Sequence, residues 1–222
     1  MEQFKMIPDK TYLPGMKTVM ADRSSQSSVT YVKDVVYTVR NGQELTIQLL
    51  LPGGVMPPAT GMEHPPIIKR HPVLVYVQGS AWMKQNVYGT LPNLVDFARA
   101  GFVVASVEYR ASEVAGWPAF LQDVKSAIRF LRANADDYSI DPEQFSVYGN
   151  SSGGHTSLLV ALTGDDETFK TEDNHDYSDA VLAAVDFYGP TDVTKINDAP
   201  RNPIFTADKN RIPEDLLYGG CV

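Results

Sequence analysis

The stretch "FSVYGNSSGGHTSLLVAL", residues 145–162, changes its periodicity in the middle. Phe145–Gly149 is a short apolar run of the kind buried on both faces of a sheet, and an apolar stretch of helical length follows from Ser151. Between them, Gly149-Asn150-Ser151-Ser152-Gly153 fits the pattern G-x-S-x-G with Ser151 at its centre. A strand that turns sharply into a helix lifts the central side chain clear of the sheet, and flanking glycines let that turn pack tightly. A serine hydroxyl needs such exposure to reach a carbonyl carbon, and it needs a base to take its proton. At the start of a helix, N–H groups and the helix dipole also favour developing negative charge. The competing reading makes Ser151 or Ser152 a helix N-cap beside a tight turn. Placement after the third buried strand of a parallel sheet favours a nucleophile at Ser151.

The rest of the chain supports that placement. "VTYVKDVVYTV" and "ELTIQLLLP" are rich in β-branched residues, and Asn41-Gly42 between them predicts an antiparallel hairpin. A Gly- and Pro-rich loop follows from Gly53. "PVLVYVQG", "FVVASVEY", "FSVYG" and "AVLAAVDFYG" then alternate with "LPNLVDFARAG", "WPAFLQDVKSAIRFLRANA" and "SSGGHTSLLVALTG". Buried strands alternating with helices predict a mostly parallel sheet with helical crossovers, behind the N-terminal hairpin. Gly101 closes the first helix. In the second, Pro118 suits the first turn, and Leu121, Val124, Ile128 and Leu131 fall on one face. Residues 1–28 are polar and irregular, an N-terminal arm to the domain formed by 29–222. The acidic segment from Asp165 to Asp179 suits a solvated loop better than a calcium site, because its spacing does not match a ligand loop.

Composition narrows the function. The chain has 222 residues, 43% of them hydrophobic, which suits one α/β domain. A formal net charge of −8 with no Lys/Arg run argues against nucleic acid or an anionic membrane as the main partner. No apolar segment reaches the length of a membrane span, and the N-terminus lacks the basic head and apolar stretch of a secretory signal. Cys221 is the single cysteine, which excludes an internal disulfide. A cytoplasmic protein is the expectation, with secretion open if a signal has been removed.

A second element belongs with the serine. The first buried strand ends in "VYVQGSAW", residues 75–82, where an oxyanion-stabilising loop is expected. Acyl transfer builds a tetrahedral oxyanion, and aimed backbone N–H groups stabilise it by a few kcal/mol each. The expected donors are the amides of Ser80, Ala81 and Ser152. An ordinary Gly-containing strand end is the alternative.

On these residues the chain resembles esterases of the α/β-hydrolase fold. "YVQGSAW" is similar to their HGGGW-type loop, with Gln78 in place of His and Ser80-Ala81 in place of two glycines. With "EYRAS", the stretch from Trp117 to His155 and "VDFYGPTD", the resemblance is to the bifunctional feruloyl and acetyl-xylan esterase group, over roughly residues 30–220. It implies a serine carboxylesterase that forms an acyl-enzyme. Its substrates would be small-molecule or carbohydrate esters, such as acetyl or feruloyl esters of plant polysaccharides. No metal and no cofactor is implied. A peptidase of the prolyl-oligopeptidase type shares the serine turn, but upstream propeller repeats are lacking. A catalytically inert carbohydrate-binding or scaffolding domain is the alternative from another class.

The serine's partners are the difficulty. In this fold the order is Ser, then Asp or Glu, then His. After Ser151 the histidines are His155 and His175. His155, one helical turn on, is expected to pack behind the turn, and His175 precedes the last strand, a poor place for a substitute base. His64 and His71 suit loops before the first parallel strand. Asp192 in "GPTD" suits a helix cap better than a catalytic acid. The acid and the base are therefore expected beyond residue 222, in a longer esterase. The exposed sheet edge would then invite aggregation or pairing with another chain, including a homo-oligomer.

Overall fold

In the computed structural model, residues 28–57, 66–67 and 69–195 are described. The N-terminal arm apart from Ser28, together with His64 and Cys221, lies outside them.

The predicted hairpin forms. Strands β1 (Val29–Arg40) and β2 (Gln43–Pro52) pair antiparallel, with Arg40 opposite Gln43. Asn41 and Gly42 between them both adopt positive φ, 50° and 82°, which matches the twist of a two-residue hairpin turn. After it come β3 (His71–Val77), α1 (Leu91–Arg99), β4 (Val103–Val107), α2 (Ala119–Ala133), β5 (Ile140–Asn150), α3 (Ser152–Leu162) and β6 (Ala183–Phe187). The sheet runs β1-β2-β4-β3-β5-β6, parallel from β4 to β6 and antiparallel on the hairpin side. The four parallel strands are those expected, and β4 sits between the hairpin and β3.

Helix ends follow local rules. α1 closes with Gly101 at φ 105°, its N–H on Ala98 and that of Phe102 on Phe97, so two otherwise orphaned carbonyls are satisfied. Pro118 stands at the N-cap of α2, one position before the first turn in which it was expected.

Helices cover both sheet faces. α1 lays Leu94 and Ala98 against Leu50, Tyr76 and Val104. On the other face α2 and α3 bury Leu121, Val124, Ile128, Leu131 and Val160 against Val75, Ala105 and Val147. All four predicted apolar residues of α2 are fully buried. Their burial is worth on the order of 1.5–3 kcal/mol each.

Two expectations are corrected. His71 is the first residue of β3, not a loop residue; it is buried, and its Nδ1–H donates to the Gly101 carbonyl at 2.9 Å. The acidic segment is more than a solvated loop. Asp179 is fully buried between Lys125 and Arg129, while Asp173 pairs with Arg40. Four polar positions of α2 (Asp123, Lys125, Ser126 and Arg129) are themselves buried. They turn towards this segment and the hairpin rather than to water, so the charges find fixed partners.

Sheet order determines where a site can form. From β3 the chain steps to β4 on one side, then returns to β5 on the other side of β3. Loops leaving the C-terminal ends of β3 and β5 therefore diverge around a crevice, the usual ligand position in an open α/β sheet. These loops are Gln78–Trp82 and the turn at Ser151.

Candidate active site

Ser151 has φ 52° and ψ −128°, a conformation that non-glycine residues rarely adopt and that costs on the order of 1–3 kcal/mol. Its surroundings enforce it. The Ser151 N–H donates to Phe187 O of β6 at 2.8 Å, and its carbonyl accepts the His155 N–H at 3.1 Å. Tight packing needs both motif glycines. A Cβ at Gly149 would lie 2.2 Å from Gly153 O, and one at Gly153 would lie 2.0 Å from Val77 O of β3.

The cap alternative fails. Ser151 stands at the N-cap position of α3, yet its side chain makes no capping hydrogen bond. Ser152 is almost wholly buried, and its hydroxyl accepts the Ser80 N–H at 2.9 Å instead of capping the helix. The strained turn therefore presents a partly exposed Ser151 hydroxyl.

Of the expected oxyanion donors, the structure removes one. The Ser80 amide is taken by the Ser152 hydroxyl, because a serine rather than an apolar residue follows Ser151. The Gly79 amide is likewise taken by Asn150 Oδ1, at 3.2 Å. Ser152 opens α3, so its own N–H has no intrahelical partner. Among the described residues the Ala81 N–H also has no hydrogen-bond partner. Of the three expected amides, those of Ala81 and Ser152 are thus left without a partner among the described residues. Ala81 and Trp82 both have positive φ, 52° and 56°, and Met83 N–H to Ser80 O at 3.0 Å closes the turn. Gln78, where the resembled loop has His, buries a side-chain oxygen without a partner.

Among the described residues no histidine side chain is hydrogen-bonded to Ser151. His155 packs behind the turn as expected, edge-on to Trp82 at 5.4 Å and beside Phe120 at 6.1 Å. Its Nδ1 is buried and unpartnered. Burial holds its pKa below the ordinary histidine value, with Asp186 pulling weakly the other way. His175 is about half exposed and pairs with Glu167 at 3.1 Å. Asp192 precedes a short turn, Val193–Lys195, and its carboxylate lies 3.2 Å from Lys195. Among the described residues no group of His, Cys, Asp or Glu is placed to hold a metal ion, and no helix is long and apolar enough to cross a membrane. An open cavity of about 660 Å³, lined by Arg70, Asn134, Asp136, Glu143 and Tyr177, lies at the other end of β3 and β5, away from Ser151.

His155 gives a pH prediction. A group whose pKa is depressed by folding stabilises the fold above its unfolded value and loses that contribution as pH falls. Stability against urea should therefore decline as pH drops below about 6.5, the unperturbed histidine value. The decline should flatten in His155→Phe, measured as the urea midpoint between neutral pH and mild acid.

The comparisons with known proteins agree with this geometry. The BD-FAE family profile matches residues 64–221. Esterase LipC of Mycobacterium tuberculosis is 37% identical over 128 residues, covering 56% of this chain and 31% of that protein. The chain thus spans under a third of that curated relative's length. Among solved structures, a bifunctional GH43-CE protein of Bacteroides eggerthii superposes with TM-score 0.69 at 27% identity, covering 86% of this chain and 26% of that one. A truncated carbohydrate esterase from gut microbiota gives TM-score 0.66 at 28% identity, covering 87% and 66%. With the sheet order and the strained serine turn, these likenesses identify the α/β-hydrolase fold.

Proposed function

The chain belongs to the BD-FAE family, and from that premise we propose that it is the serine-bearing part of a carboxylic ester hydrolase. The observation that carries the proposal is the uncapped hydroxyl of Ser151 on a strained strand-to-helix turn. In the proposed reaction Ser151 Oγ bonds to the ester carbonyl carbon and its proton passes to a base. The resulting oxyanion is held by the amides of Ala81 and Ser152. Collapse expels the alcohol, which takes up the proton, and leaves an acyl-enzyme. Water, deprotonated by the same base, then releases the acid and restores Ser151. No described histidine side chain reaches Ser151, so the base and its carboxylate are proposed to lie outside the described residues. No metal and no cofactor takes part in this scheme.

For substrate we propose acetyl or feruloyl esters of plant polysaccharides. The family and the carbohydrate-esterase neighbours support this class. The test compares release of acetate and ferulate from substituted xylan oligomers with hydrolysis of simple aryl esters by the full natural protein. Preferential release from the oligomers is expected. Aryl-ester hydrolysis with none from the oligomers would restrict the reading to a general esterase. Activity on neither would favour an inert binding domain.

A further inference from the structure

The Gln78–Trp82 loop carries strain that its own sequence does not relieve. Ala81 and Trp82 are consecutive left-handed residues without glycine, an arrangement that persists only where surrounding contacts over-determine it. Those contacts converge on three hydroxyls, of Tyr109, Ser80 and Ser152. Tyr109 OH donates to Gln78 O at 2.9 Å and lies 3.1 Å from Ser80 Oγ. Ser80 Oγ donates to Met83 O at 2.6 Å. Ser152 Oγ accepts the Ser80 N–H at 2.9 Å.

Counting protons fixes the direction of each bond. Each hydroxyl has one hydrogen. That of Ser80 goes to Met83 O and that of Tyr109 to Gln78 O. A Ser152 lone pair takes the Ser80 amide. Ser80 joins these contacts: its amide bonds Ser152, and its hydroxyl lies beside Tyr109 and on Met83 O, so the residue after the nucleophile is tied to both ends of the loop. Ser152 is 1% exposed and Tyr109 2%, so water does not compete.

We infer that Ser152 and Tyr109 are positioning residues, whose hydroxyls latch the loop so that the Ala81 amide is held beside Ser151. The inference rests on the esterase reading above. It gives the second serine of "GNSSGG" two separate tasks, its N–H for the oxyanion and its hydroxyl for the loop that carries the other donor.

The test uses the full natural protein, with Ser152→Ala, Tyr109→Phe and the double variant. Aryl-ester kcat and KM, the rate of phosphonylation by a fluorophosphonate, and the thermal midpoint are measured together. Small misplacements of catalytic groups cost up to about 100-fold in rate. Each single variant should lower kcat by roughly 10- to 100-fold, with KM within about twofold and phosphonylation slowed in parallel. The double variant should lose no more than the worse single, because members of one network are not additive. A lowered thermal midpoint with wild-type kcat at a temperature where the protein is folded would overturn the latch. So would independent, fully additive losses. If one variant does not fold, the other decides the outcome alone. Wild-type protein that neither turns over ester nor is phosphonylated removes the esterase reading and the latch with it. Wild-type activity with unchanged variants removes only the latch.

Discussion

Asp179→Ala should cost on the order of 3–5 kcal/mol, the largest loss of stability expected from a single change in this chain. The Asp179 carboxylate is fully buried and accepts from Lys125 Nζ at 2.9 Å and Arg129 Nη1 at 2.7 Å, both also fully buried. It takes the Asp165 N–H as well, at 2.9 Å. Removing it leaves two desolvated cations without their counter-charge. Arg129 keeps Asp173 O and Thr171 Oγ1, whereas Lys125 keeps the Thr163 carbonyl and hydroxyl, which accept from it, and the Phe169 ring face. The loss is therefore borne mainly through Lys125. Domains of this size are stable by about 5–15 kcal/mol, so the variant should unfold at much lower urea or fail to accumulate. Glu167→Ala is the control. Glu167 pairs with Lys170 and His175, but it is 66% exposed, and such surface pairs are worth roughly 0–1 kcal/mol. A urea midpoint for Asp179→Ala equal to that of Glu167→Ala would contradict the account of the segment between α3 and β6.

Ser151→Ala should have the largest effect on chemistry. Removing the nucleophile of a serine hydrolase lowers kcat by about six orders of magnitude, and what remains comes from the oxyanion donors and binding. The fold should tolerate the change. The Ser151 side chain makes no cap, and the backbone bonds that hold the turn, from its N–H to Phe187 O and from its carbonyl to His155 N–H, do not involve it. Alanine meets the same penalty as serine at φ 52°, so no new strain is added. In the full natural protein, the variant should match the parent in its urea midpoint while losing ester turnover.

Much of this fold was legible in the amino-acid sequence because periodicity and punctuation agreed. Asn41-Gly42 specified its hairpin through two residues that tolerate positive φ, and Gly101 ended α1 for the same reason. The serine turn was legible because a change from strand to helix coincided with glycines whose missing Cβ atoms the packing requires. What escaped was burial of polar groups. Asp123, Lys125 and Arg129 in α2 look like a solvated helix face until their partners arrive from the hairpin and from a loop about 50 residues downstream. His71 looked like a loop residue because its partner, Gly101 O, is 30 residues away. The Ser152 hydroxyl and the withdrawal of the Ser80 amide depend on how closely the β3 and β5 loops approach, which no local pattern encodes. The one available signal was the second serine itself, a polar side chain where the turn has little room.

The central claim is that Ser151 is a nucleophile, and covalent capture tests it most directly. The full natural protein is incubated with a fluorophosphonate, digested, and its peptides weighed. One phosphonyl adduct is expected, on Ser151, absent from Ser151→Ala and slowed in Ser152→Ala. An untouched Ser151 in a folded, full-length protein, or an adduct on any other residue, would contradict it.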